Sequence, residues 1–134
     1  MKPSMVFALL FSMFLAFGCR DSRSDPFQSS SVPTGAFQYT GYDGTGQIIE
    51  TGWLTIVVKD SNIVSGRWQL ATEGNGELRG SISNGRIAVD LHPEMADNNF
   101  LLNGSVEGKT FRGNWTKIGI AGVMASGTFV AYQQ

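Results

Sequence analysis

Cys19 is the only cysteine and His92 the only histidine of the 134 residues, and together they narrow the chemistry open to one chain. A lone Cys forms no disulfide within the chain. A lone His excludes a His-rich zinc site, or a serine triad with a histidine to spare. His92 stands before Pro93 with Glu94 and Asp97 nearby, and reads as a polar contact or a solvated loop residue. Asp43-Gly44-Thr45-Gly46 and Asp97-Asn98-Asn99 gather oxygens that could attract calcium. Neither has the spacing of a calcium loop, and Asp or Asn capping its own backbone in a turn accounts for both. Carboxylates that cleave glycosides must face one cleft; Glu73 and Glu94 are loop candidates with nothing in their spacing to pair them. The inward-facing positions show no convergence of polar groups, so no enzyme, cofactor or metal is expected. The aromatic residues remain, Trp68 and Trp115 foremost.

These residues must be positioned by strands. From Gly35 onward, short alternating runs are punctuated by Gly, Asn and Asp, and Gly reaches 17 residues while charged residues are only 16%. The pattern predicts strands over 36–42, 47–58, 63–70, 76–83, 85–91, 99–107, 109–117 and 122–133. In the third, Val64, Gly66, Trp68 and Leu70 alternate with Ser65, Arg67 and Gln69. Leu78, Gly80 and Ile82 alternate in the same way with Glu77, Arg79 and Ser81. Period two with one polar face marks antiparallel strands packed on one side. No segment has a helical period, and no strand–helix alternation points to a parallel sheet.

A unit of apolar–x–Gly–x–apolar recurs at Val64–Trp68, Leu78–Ile82, Leu102–Val106, Phe111–Trp115 and Ala125–Phe129. Glycine on the inward face of a strand permits sharp bending, and several at similar heights let a sheet coil into a narrow barrel. The fold class expected is therefore all-β, an eight-stranded antiparallel up-and-down meander closed into a barrel, with a β-sandwich as the alternative. Long connections at 42–46, 71–75, 92–98 and 117–121 alternate with short ones at 60–62, 84–85 and 107–108. One end would then carry four longer loops, and the other the tight turns and both termini. Arg67, Gln69, Glu77, Arg79, Arg86, Asp90 and Arg112 on the outer face argue against a membrane-spanning barrel, which needs an apolar band. In strand number and connectivity this domain resembles the calycin group, lipocalins and avidins, and the resemblance implies a cup. No ligand residue carries over, because the Gly-x-Trp triplets Gly66-Arg67-Trp68 and Gly113-Asn114-Trp115 fall on the third and seventh strands rather than the first.

The N-terminus is a separate signal. Lys2 precedes an apolar run over Met5–Phe17, too short to span a bilayer comfortably and suited to a secretory signal. The run ends in Ala16-Phe17-Gly18-Cys19, which resembles the lipobox of bacterial lipoproteins. That resemblance implies a signal peptide over 1–18 and a lipid on Cys19. A polar tether would follow over 19–34, rich in Ser, Asp and Pro, and then a single barrel domain over 35–134. It places the chain in the bacterial cell envelope, held to membrane by its lipid. With Arg20 rather than an acid after the Cys, the place implied in a two-membrane cell is the periplasmic face of the outer membrane. A formal net charge of −1 gives no electrostatic reason to expect a nucleic-acid partner.

The function expected is non-enzymatic binding of a small apolar or amphipathic ligand at the open end of the barrel. Trp68, Trp115 and Phe100 would form its wall, and Tyr42 and His92 its rim. The rival is a solid barrel acting as a protein-interaction or inhibitor module in the periplasm, with Ile118-Gly119-Ile120 and Met124 as its contact patch.

Overall fold

The computed structural model describes residues 34–134. The apolar run 1–18, Cys19 and the polar segment up to residue 33 lie outside the described residues. Eight strands follow in chain order: β1 Gly35–Tyr42, β2 Ile48–Lys59, β3 Ile63–Leu70, β4 Gly74–Ser83, β5 Arg86–Asp90, β6 Asn98–Glu107, β7 Thr110–Gly119 and β8 Gly122–Gln133. Each pairs antiparallel with its sequence neighbour, and β1 pairs with β8 to close the barrel. A sandwich would leave that seam open, so the alternative falls. Closure satisfies the backbone donors and acceptors that an edge strand would leave exposed.

The alternation read from the sequence sets the inside of the barrel. Phe37, Leu54, Ile56, Val64, Leu78, Ile87, Leu102, Phe111 and Phe129 are all buried in one continuous core. The same core continues to the open end through Trp68, Leu70, Leu91, Phe100 and Trp115. At the closed end, which carries the termini, two tight turns reverse the chain through consecutive residues of positive φ, Asp60-Ser61 and Asn84-Gly85; the second is a two-residue hairpin whose geometry matches strand twist.

The recurrent glycines sit where strands press on one another. A side chain at Gly113 would begin 2.0 Å from the Asn103 carbonyl oxygen and 2.5 Å from the Cα of Gly104, its partner on β6. At Gly66 the obstacle is the Thr55 carbonyl, 1.7 Å away. These are backbone contacts, which cannot swing aside as a flexible side chain would. The missing Cβ atoms are what allow a wall this tightly coiled.

The loop pattern differs from the sequence expectation at two places. β4 begins at Gly74, so the β3–β4 connection is only 71–73. β7 continues to Gly119 and pairs Ile118 with Val123 and Gly119 with Gly122, leaving Ile120-Ala121 as a two-residue turn where a long loop over 117–121 was expected. The physical reason is a register shift between Lys117 and Ile118. It absorbs an extra residue and keeps the hairpin paired past the point where the regular alternation ends. The open end is therefore flanked by two longer loops, 43–47 and 91–97, and two tight ones.

Candidate functional site

At the open end, Trp68 of β3, Phe100 of β6 and Trp115 of β7 all turn inward and are buried. His92, from the β5–β6 loop, lies over Trp68 with ring centroids 5.4 Å apart and meets Phe100 edge-on at 6.2 Å. Phe100 in turn meets Trp115 at 5.9 Å. Four rings thus form one chain across the mouth. Each indole is fixed by its N–H: Trp115 donates to the Tyr42 carbonyl at 2.8 Å, and Trp68 to the Glu77 carbonyl at 3.2 Å. His92 is held at both ends. Its backbone N–H donates to Asp90 at 2.9 Å, and its Nδ1 lies 2.8 Å from the Asn98 carbonyl. A carbonyl can only accept, so Nδ1 carries a proton and donates it.

Beside this chain of rings is a cavity of about 170 Å³, lined by Tyr39, Glu50, Glu73, Phe100, Trp115 and Lys117 among others. An apolar cavity of about 150 Å³ accepts benzene, so this one has room for a single ring or a short chain. Its walls combine aromatic faces with polar groups that the sequence reading did not expect to converge. Tyr39 stacks on Phe129 at 5.6 Å, and Phe129 packs edge-on against Phe111 at 4.7 Å. The Tyr39 ring is fully buried, yet its hydroxyl has no hydrogen-bond partner among the described residues. Burial first, then the nearby charges of Glu50 and Glu73, pushes its pKa well above that of a free phenol. Tyr39 is therefore a neutral donor throughout the physiological range.

Glu50 is the one buried charged side chain among the described residues. Its carboxylate accepts from the backbone N–H of Thr51 at 3.0 Å and of Thr72 at 3.1 Å, and also from the Thr72 hydroxyl. Buried carboxylates are tolerated when their lone pairs are met in this way. Glu73 forms an ion pair with Lys117, whose ammonium sits 5.3 Å from the centre of the Phe100 ring, within range of a cation–π attraction. Among the described residues no group of three or more His, Cys, Asp or Glu side chains comes together to hold a metal.

Of the residues singled out from the sequence, Phe100 and Trp115 line this cavity. Trp68 and His92 extend the aromatic chain away from it. Tyr42 contributes its carbonyl, while its side chain belongs with the outward positions, paired with Thr128 across the β1–β8 seam. Cys19 lies outside the described residues. Tyr39, Glu50, Thr72 and Lys117 were missed, and Glu73, read only as a loop carboxylate, was not expected at this site. Parity held the signal for three of them. Tyr39 is in step with Phe37, Glu50 with Leu54 and Ile56, and Lys117 with Phe111 and Trp115. A charge on the apolar parity of a strand marks a polar group turned into the barrel. Glu73 and Thr72 come from a loop, where parity says nothing.

No protein-family model and no curated protein matches the chain. Among solved structures, EF1p2_mFAP2b bound to DFHBI is similar, with a TM-score of 0.56 and 14% sequence identity, over 79% of this chain and 97% of that one. The likeness is one of fold, and it fits the closed eight-stranded antiparallel barrel described above.

Proposed function

We propose that this protein binds a small, ring-sized amphipathic molecule in the cavity at the open end of its barrel. The observation that carries the reading is Tyr39, which lines a cavity of about 170 Å³ and whose buried hydroxyl has no hydrogen-bond partner among the described residues. Leaving such a group unsatisfied costs about 1–3 kcal/mol, a cost a fold keeps where something else makes the bond. The apolar part of the ligand lies against Phe100 and Trp115, and its acceptor meets Tyr39. Trp68 and His92 hold the mouth in shape rather than line it. The role is one of binding without catalysis: Glu50 is engaged by Thr72, Glu73 by Lys117, and the His92 proton by Asn98. The similar barrel bound to DFHBI supports a small ligand in this fold in general terms.

Residues 34–134 hold a closed barrel with its own core, and native mass spectra of that unit, secreted and untagged, test the proposal. Excess mass that disappears on denaturation, and is reduced in Tyr39→Phe, supports it. Retained mass unaffected by Tyr39→Phe and Trp115→Leu would place the ligand elsewhere.

The proposed location is the bacterial envelope, with the barrel tethered through a lipid on Cys19. Support comes from the apolar run Met5–Phe17 and Ala16-Phe17-Gly18-Cys19. Metabolic labelling with an alkyne fatty acid should mark the wild-type chain and not Cys19→Ala; equal labelling of both would refute it.

A second reading is favoured by the rim. Ile48, Ile120, Val123 and Met124 are exposed at the open end, and apolar groups gathered there suit contact with another protein. In that case Ile120→Ser with Met124→Ser abolishes partner binding and leaves cavity binding intact.

A further inference from the structure

The outer wall carries an arrangement that the cavity does not use. Strand register sets Tyr132 of β8 opposite Gln38 of β1, Gln38 opposite Trp53 of β2, Trp53 opposite Gln69 of β3, and Gln69 opposite Asn75 of β4. All five are exposed, Trp53 at 44% and Tyr132 at 53%. They form one row running across five strands, at right angles to them. Two large aromatic side chains are separated by an amide, and two more amides continue the row.

Trp53 does not stand on a flat wall. A groove of about 340 Å³ lies toward the closed end, lined by Trp53, Thr55, Arg67, Trp68, Gln69 and Asn75. A second groove of about 450 Å³ lies toward the open end, lined by Thr51, Trp53, Gln69 and Asn75 among others. The row itself holds no charge. The ionic residues that flank the row on β3 and β4, Arg67 and Glu77, are opposite in sign and stand opposite each other in register.

These features specify a ligand by its chemistry. Aromatic faces attract flat, weakly polar C–H surfaces. Amides both donate and accept, and so suit hydroxyls, which do the same. A neutral row disfavours anions and cations alike. Strands lie roughly 4.8 Å apart, so Tyr132 and Trp53, two strands apart, stand roughly 9.6 Å from one another along the row. That spacing suits a chain whose rings advance by about one strand per unit and present alternate faces. We infer that the Tyr132–Gln38–Trp53–Gln69–Asn75 row is a second binding site, for an extended neutral β-1,4-linked glycan. It is independent of the cavity ligand.

The test is a titration of the barrel, residues 34–134, with cellohexaose, with the hexamer of N-acetylglucosamine, and with maltohexaose. Amide and indole N–H shifts in two-dimensional NMR are the readout. At least one β-1,4 hexamer should bind saturably and shift the Trp53 indole and the Gln38 and Gln69 side-chain amides. Maltohexaose, whose α-1,4 linkages coil the chain, should bind about tenfold more weakly. Trp53→Ala should lower affinity about tenfold or more, Trp53→Phe should restore part of it, and Tyr39→Phe should leave it unchanged. Trp53 is exposed, so its replacement spares the core, and unchanged backbone shifts across β5 and β6 confirm that the barrel is intact. The inference is overturned if no hexamer binds the wild type at millimolar concentration. It is equally overturned if binding survives Trp53→Ala, or if maltohexaose binds as well as the β-linked chains.

Discussion

At the scale of single residues, three oxygen-bearing side chains do different work. Asp43 accepts from the Thr45 hydroxyl at 2.7 Å, the Thr45 N–H at 2.8 Å and the Gln47 N–H at 3.0 Å, which folds the β1–β2 loop over its own carboxylate. The Thr45 side chain first, then these backbone donors, holds its pKa below the ordinary value of 3.8. A depressed carboxylate contributes order that is fully present above the unfolded value and lost as pH falls through the folded one. The Thr45 and Gln47 amide shifts should therefore stay constant from neutrality down to about pH 4 and titrate together only below it; movement already at pH 5 would contradict the cap. Glu50 does structural work at a buried position. Glu50→Gln keeps the shape but sets an amide N–H₂ against donors that need an acceptor. It should cost about 1–3 kcal/mol in urea unfolding, and a neutral result would mean that water already serves Thr72. Tyr39 is the opposite case, a buried hydroxyl with no partner among the described residues. Removing its hydroxyl with Tyr39→Phe should leave the unliganded barrel as stable, or more stable by up to about 1–3 kcal/mol, and a loss of stability would reveal a hidden partner.

At the scale of the elements, the strands were legible because the two faces of each wall face different media. All eight observed strands fall within two residues of the ranges expected from alternation and turn chemistry. The Asn84-Gly85 turn was readable for the same reason, since positive φ at both central positions selects those residues. The β7–β8 hairpin was not. Its register shift at Lys117 breaks the period of two, and a broken period looks like a loop. The inward glycines were visible as a repeat, but their function shows only in three dimensions, where Gly104 and Gly113 face each other. A single methyl at that crossing has nowhere to go. Gly113→Ala should destabilise the barrel by about 1–3 kcal/mol or more. Alanine at Gly44, an open loop position with no atom near its missing Cβ, should change stability by about 0.5 kcal/mol or less. Equal effects at the two sites would refute the close-approach argument.

At the scale of the whole molecule, one core runs the length of the barrel and leaves a small cavity at the open end. Apolar positions at the closed end follow from alternation alone. The cavity at the open end does not, because it is built from strands far apart in sequence: Tyr39 from β1, Lys117 from β7, and Glu73 from the β3–β4 loop. No local pattern announces that these meet. Its burial also shapes stability in alkali. Tyr39 has a raised pKa, so the fold favours its neutral form: stability is unaffected below the unfolded value of about 10 and falls as pH rises from there toward the folded one. Wild type should lose stability more steeply above pH 10 than Tyr39→Phe does, as measured by denaturant midpoints across the pH series. Parallel curves would mean that Tyr39 ionises as a free phenol.

The central claim is that the open-end cavity is a ligand site organised around Tyr39. The most direct measurement is a two-dimensional NMR titration of residues 34–134 with single-ring amphiphiles: phenol, benzyl alcohol, benzamide and cyclohexanone. At least one should shift the Trp115 indole N–H and the Thr72 amide together, saturably, and with weaker affinity in Tyr39→Phe. Shifts confined to the outer wall or the rim, or no saturable shift at Trp115 and Thr72 with any of the four, would contradict it.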